Sequence, residues 1–418
     1  MRKNNGTMTL LMAMLMFAAA CEKKSEPVDD FTVPEGFTVT VFADSLAPNT
    51  RHIVVNDNGD VYVSLSRFLD GNGIIGLRDT NGDGKADMIQ PFGNLRGTGL
   101  DIRNGYLYFS PETTVVRYRL DGELVPTGEP ETVVAGLPAL GNHRQKTFAF
   151  DNAGNLFVNV GSTSNACQQQ ARTPGSMGQD PCPELEHYAG IWRFRADDLN
   201  QSGEEGHHFA KGIRNAVALD WNNAVGQLYA VQHGRDQLNT LWPELFTDEQ
   251  NAELPAEEFL LVTDGGDYGW PYCYYDHFQG TKVLAPEYGG DGKKTGWCED
   301  CEDPILAFPG HWAPNDLIFY DGDQFPERYK NGAFVAFHGS WNRAPKPQAG
   351  YNIAFVPFDG ELPAGDYEIF AQGFAGTENL DEPGAAEHRP CGLAQGPDGS
   401  LYIADSRMGR IWKVSYGN

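Results

Sequence analysis

The sequence predicts an all-β protein, a six-bladed β-propeller, and three observations carry that prediction. One strand signature recurs six times: Gly59-Asp-Val-Tyr-Val63, Gly105-Tyr-Leu-Tyr-Phe109, Gly154-Asn-Leu-Phe-Val158, Gly226-Gln-Leu-Tyr-Ala230, Gly332-Ala-Phe-Val-Ala336 and Gly399-Ser-Leu-Tyr-Ile403. Each is a turn glycine opening an apolar, aromatic strand. Most copies have a short strand before them, as in Thr147-Phe-Ala-Phe-Asp151, and another after, as in Thr114-Val-Val-Arg-Tyr-Arg119. The composition agrees, with 49 Gly, 26 Pro and 12% aromatic residues among 418, which suits a loop-rich protein with a large core. Three-stranded meanders repeated around an axis make a propeller. A pair of β-sandwiches is the rival, but a sandwich does not require the repeat.

From the N-terminus, Arg2 and Lys3 precede an apolar run, Leu10 to Ala20, and then Cys21. That is the layout of a secretory signal, and three alanines before a cysteine resemble a bacterial lipoprotein cleavage site. The expected organisation is a signal peptide at 1–20, a polar tether at 21–33 carrying lipid on Cys21, and a propeller at 34–418. The protein would then be exported and membrane-anchored, facing the periplasm or the cell surface. Phe37 to Phe42 lacks a blade of its own, and Arg410 to Ser415 lacks a following partner. Pairing the two closes the ring and leaves no exposed edge. Uneven spacing of the signature assigns long insertions to blades four and five, on the face that commonly binds.

A net charge of −26 excludes nucleic acid, whose phosphates need a basic footprint. Besides Cys21 there are six cysteines, an even number in an oxidising compartment, so disulfides are expected. Cys167–Cys182 is the easiest local closure, while six cysteines allow 15 pairings. Cys298-Glu-Asp-Cys301 has no following histidine and no second pair, so zinc and haem are poor readings.

In an up-and-down blade, residues just before the first strand and just after the second share one mouth of the channel. The first set includes Arg51, His143, Arg214 and Arg389, and the second Ser162, His233 and His338 to Arg343. Such a rim is a cationic pocket in an acidic protein, suited to carboxylates or phosphates. Any single arginine there is as readily paired with a local carboxylate. His143 is the candidate general base.

Several pieces resemble one family: Gly212-Ile-Arg-Asn215, His233-Gly234 with Asp236-Gln-Leu-Asn239, Gly266-Asp-Tyr-Gly-Trp-Pro271, Ala313-Pro314, His338-Gly-Ser-Trp-Asn-Arg343 and Arg389-Pro390. Over roughly residues 34–416 the chain resembles the glucose/sorbosone dehydrogenases, most of all their sorbosone and pyranose branches. Those are secreted six-bladed propellers that use pyrroloquinoline quinone (PQQ) and calcium. The resemblance implies oxidation of a sugar, aldose or polyol, with electrons passed to a separate acceptor, a quinone or a cytochrome. It makes His143 the base and puts Arg214 and Asn215 beside the reacting centre. It also turns Arg343 and Arg389 to PQQ carboxylates and gives the carbonyls of Gly234 and Arg235 to calcium. Where glucose dehydrogenases place an aspartate to orient the histidine, this chain has Ser162, so either Asn165 helps or the base is less activated.

A second calcium candidate is the run Asp79-Thr-Asn81-Gly-Asp83-Gly-Lys-Ala-Asp87, with oxygens at Asp79, Asn81, Asp83 and Asp87 but Gln90 where a bidentate glutamate is usual. The bland reading is a solvated Asp/Gly turn. Two other functions compete with oxidation: a lactonase-like hydrolase with a central calcium, and a propeller that only binds a ligand. The first needs carboxylates from several blades lining the channel.

Overall fold

The computed structural model describes Met1, residues 31–139 and residues 141–417. The leader and the lipid-bearing Cys21 lie outside the described residues. Six sheets of four or five strands follow one another around the ring, together with two separate two-stranded hairpins. The innermost strands are Thr50–Val55, Gly97–Arg103, Phe148–Phe150, Ala218–Asn222, Pro314–Phe319 and Pro390–Gln395. The six signatures form the second strands, which are almost wholly buried. The reason is positional, since a second strand is covered by the neighbouring blade on each face and so reads as a continuous apolar run.

Blades one to five each have a fourth, outer strand that the three-strand reading missed. Met88–Phe92 shows why: four of its five residues are exposed, so it carries no apolar signature. In the last blade the outer place is taken by Phe37–Ala43, paired antiparallel with Ile411–Tyr416 in the register Phe37 to Tyr416. The ring is closed as expected. Residues 31–33 belong to the folded body rather than to the tether. Phe31 is 5% exposed, stacks on Phe374 at 4.2 Å and meets Trp412 edge-on at 5.3 Å. Burying a ring of that size stabilises by roughly 2–3 kcal/mol.

The large insertions fall in blades three and four, one blade earlier than expected, because a gap between second strands lies in the blade where it starts. They are residues 161–189, then 233–256 and 263–305. The first contains Cys167–Cys182 and the last Cys273–Cys298. Cys301 and Cys391 stay as thiols. Cys391 lies on the innermost strand of blade six with Asn315 Nδ2 3.6 Å from its sulfur, and no third bridge is present among the described residues.

Candidate active site

The second strands and the insertions return to the mouth where the innermost strands begin. There a cavity of about 290 Å³ is lined by Arg51, His143, Arg172, Arg214, Asn215, His233, Gly234 and Trp341, among others. Its floor is laid by blades three and four.

His143 sits at φ 44°, a left-handed backbone that aims its ring inward. Its Nδ1 lies 2.9 Å from the Ser162 carbonyl oxygen and 3.0 Å from Ser162 Oγ. A carbonyl only accepts, so Nδ1 carries the proton and Nε2 keeps its lone pair free. The Ser162 hydroxyl in turn donates to Ser164 O at 2.7 Å. Burial, then the nearby Arg214 cation, push the His143 imidazole down to about 3, so it is neutral at pH 7. Gly161 permits the close approach: a Cβ there would lie 2.6 Å from His143 Cβ.

Arg214 is 3% exposed and fully engaged. Nε donates to Asn165 O at 3.2 Å, Nη1 to Gly234 O at 2.8 Å, and Nη2 to Asn165 Oδ1 and Asp236 Oδ2, both at 3.1 Å. Asn165 thus serves Arg214 and not the histidine; it is itself held by Trp270 Nε1 at 3.1 Å from its carbonyl. Burial alone would raise the Asp236 carboxyl, but Arg214, His311 and Arg172 outweigh it and hold it below the usual range. Removing one partner of such a buried pair costs about 3–5 kcal/mol.

The structure therefore brings Arg51, His143, Arg214, Asn215 and Gly234 to one cavity. Arg343 does not join them. Its guanidinium donates to the carbonyls of Ala252, Gly310 and Pro347 and to Glu253, because the loop that carries it folds back onto the blade-four insertion. Arg389 lies just behind the lining, bonded to the carbonyls of His338 at 3.0 Å and Gly339 at 2.6 Å, with Tyr351 beneath its charge. The Arg235 side chain is buried against Glu287. The Gly234 carbonyl, expected to bind calcium, already accepts from Arg214.

At the second calcium candidate the oxygens turn to the loop's own backbone. Asp79 accepts N–H groups from Asn81, Gly82 and Gly84, Asn81 accepts from Asp83, and Asp83 accepts from Lys85. Asp87 accepts from Thr80. Among the described residues, the one group of three acidic, thiol or imidazole ligand atoms within 4.8 Å of one another is Cys167, Cys182 and Glu184, whose sulfurs are bonded together.

Sequence reasoning missed Arg172, Glu257 and His311 in the lining, and placed Trp341 on the rim without giving it a role. His311 lies two residues before Ala313-Pro314, the nearest motif read in the sequence. Arg172 comes from the blade-three insertion and Glu257 opens the buried strand Glu257–Val262, so neither carried a signal. The channel's opposite mouth is different in character: a space of about 670 Å³ lined by Asp101, Asp220 and Asp316 from the innermost strands of blades two, four and five. Burial pushes Asp101 up to about 6, Asp220 up to about 7 and Asp316 well above the usual range. The expectation of a mainly basic channel thus holds for one mouth only.

The fold and the site define a class of protein: a closed six-bladed propeller with a cation-lined pocket and a histidine poised as a hydrogen-bond acceptor at one mouth of the channel. More particularly, the chain belongs to the TrAA12-like family, whose model matches residues 31–417. It is similar to the holo form of the pyranose dehydrogenase PQQ domain from Coprinopsis cinerea, with a TM-score of 0.72 and 20% identity, covering 94% of this chain and 98% of that one. It is similar also to the calcium structure of the Trichoderma reesei carbohydrate-active enzyme of family AA12, with a TM-score of 0.74, 19% identity and coverage of 93% and 97%. In sequence, 209 residues are 28% identical to the PQQ-dependent pyranose dehydrogenase of Coprinopsis cinerea, a match spanning 44% of this chain and 27% of that protein.

Proposed function

We propose that the protein oxidises a sugar, an aldose or a related polyol with PQQ as its redox cofactor. The observation that carries this reading is on the cavity wall, where His143, held as a proton acceptor, shares the space with Arg51. The Arg51 Nε is buried and has no hydrogen-bond partner among the described residues. An orphaned guanidinium nitrogen asks for an anion, and PQQ is a tricarboxylate. Arg172, only partly buried, and Arg389 stand near enough to share that task, and Arg389 feels the repulsion of Arg51.

When bound, PQQ supplies the two-electron acceptor for a hydride leaving the substrate carbon. The chain's part is the proton: His143 Nε2 takes it from the hydroxyl on that carbon, while Nδ1–H stays on the Ser162 carbonyl. Arg214 and Asn215 lie beside that centre, and Trp341 offers its ring to the apolar face of the sugar. Calcium enters as an addition, supported by the calcium structure of the Trichoderma reesei relative and by the acidic Glu257 on the wall. The Gly234 carbonyl already accepts from Arg214 Nη1 at 2.8 Å. Electrons leave to a separate quinone or cytochrome, and Cys21 anchors the exported protein by lipid.

Purified protein is loaded with PQQ, with and without calcium, and dye reduction is followed across a panel of sugars. Sugar-dependent reduction is the expected result. Ester cleavage without dye reduction overturns it in favour of a lactonase, for which the three carboxyls at the opposite mouth speak. Neither activity leaves a binding propeller.

A further inference from the structure

We propose that Glu184 is a positioning residue for His143, supplying through one peptide group the negative charge that Ser162 lacks. The role of His143 in it rests on the proposed function. The connection is short. The Ser162 carbonyl accepts from His143 Nδ1 at 2.9 Å, and the N–H of the same peptide, Thr163 N, donates to Glu184 Oε2 at 2.7 Å. Donation to a carboxylate at one end of an amide makes its oxygen a stronger acceptor at the other. The imidazolium formed when His143 takes a proton is then stabilised from two bonds away, where an aspartate would act from one.

Glu184 is built for this. It is 8% exposed, and its oxygens also accept Ser164 N at 3.1 Å and Ser164 Oγ at 2.5 Å, so its contacts are with the loop that holds the histidine's Nδ1. The loop is pinned again where Cys167 N donates to Ser164 Oγ at 2.9 Å and Cys167 is bonded to Cys182, two residues before Glu184. Arg214, His233 and Asp236 face His143 from blade four and the turn leading into it; the first two oppose its charging and Asp236 favours it through space. Glu184 is the carboxylate joined to the ring through the ring's own hydrogen bond.

The test uses Glu184→Gln, uncharged and of the same size, and Glu184→Asp, charged but one methylene shorter. The first readout needs no cofactor. In protein with ¹⁵N-labelled histidine, the His143 Nδ1 proton resonance moves upfield in Glu184→Gln, and moves less but in the same direction in Glu184→Asp. In the PQQ-loaded enzyme, Glu184→Gln lowers kcat about ten- to hundredfold with KM and PQQ affinity held, the usual scale for an orienting partner. Adding Ser162→Asp to that variant restores turnover, which simple repair of a loosened loop would not do. A His143 resonance unmoved in both variants, or a kcat loss that Ser162→Asp leaves in place, overturns the relay. Wild-type protein that binds no PQQ overturns the proposed function instead, and the resonance still decides the relay. If Glu184→Gln does not fold, Glu184→Asp carries both readouts.

Discussion

Arg343 Nη2 lies 2.5 Å from Glu253 Oε1, and the rest of its guanidinium is spent on the backbone carbonyls of Ala252, Gly310 and Pro347. Arg51, by contrast, keeps a buried nitrogen without a partner among the described residues. The two arginines therefore predict opposite results. Arg343→Ala leaves several acceptors unpaired and lowers stability by about 2–3 kcal/mol, with a modest effect on cofactor affinity. Arg51→Ala removes an unmatched cation, so the cofactor-free protein keeps or gains stability while PQQ binding falls at least tenfold. Thermal melts and PQQ titrations on both variants check this; a large affinity loss in Arg343→Ala alone would reverse the assignment.

His143→Ala is expected to abolish dye reduction while leaving PQQ binding mostly intact. The ring's hydrogen bond runs to the Ser162 carbonyl and not to the arginines, so its removal leaves the anion-binding groups in place. Unchanged turnover removes His143 as the base. Because its imidazole is pushed down to about 3, it is already neutral at pH 7, and protonating it is not what limits turnover between pH 5 and 8.

How much of this was legible depends on what spacing encodes. The second strands announced themselves because both their faces are covered; the outer strands, such as Met88–Phe92, did not, since mostly exposed residues follow no apolar pattern. Arg51 and Arg214 were found by their phase at blade corners, which backbone periodicity sets. Arg343 stood in the same rim loop, yet the direction of a side chain on an irregular loop is decided by what it meets, here Ala252 and Glu253. Glu184 and Arg172 were invisible for the same reason: both belong to a loop whose shape is set by a disulfide.

Trp341 is 54% exposed at the cavity mouth, yet its neighbours are fixed. Ser340 is fully buried with its hydroxyl 2.7 Å from Gln348 Oε1, and its carbonyl accepts Tyr351 OH at 2.8 Å. Gly339, at φ 90°, lies so close to Tyr351 that a Cβ would come within 2.2 Å of that ring. An exposed indole on a backbone held by its neighbours is a platform for the apolar face of a sugar. Trp341→Ala is expected to raise KM about three- to tenfold, from a stacking contact worth about 0.5–1.5 kcal/mol, with kcat and PQQ affinity little changed. Steady-state dye reduction at saturating PQQ measures it; a loss of PQQ affinity instead means that the ring covers the cofactor.

Asp220 gives a pH dependence whose sign differs from the usual carboxylate. Burial is the main cause that lifts it to about 7, with Asp101 and Asp316 close by on the same cavity and backbone N–H groups of Phe319 and Trp221 only partly compensating. Its folded value lies above the unfolded one of 3.8, so the folded state binds the proton more tightly. The contribution is fully present below pH 3.8 and is lost as pH rises through about 7, at up to about 1.4 kcal/mol per pH unit. Asp220→Asn cannot ionise. It starts with a fixed loss, because its amide nitrogen cannot accept one of the two N–H groups that the carboxylate holds at 2.8 Å. That loss does not vary with pH, whereas the wild-type loss does. The variant's stability should therefore gain on wild type from pH 4 to pH 7 and run parallel to it above pH 8. Urea titrations at pH 5, 6, 7 and 8 decide the matter; a difference that stays constant across them means that Asp220 is ionised throughout and that the opposite mouth holds its charge by some other contact.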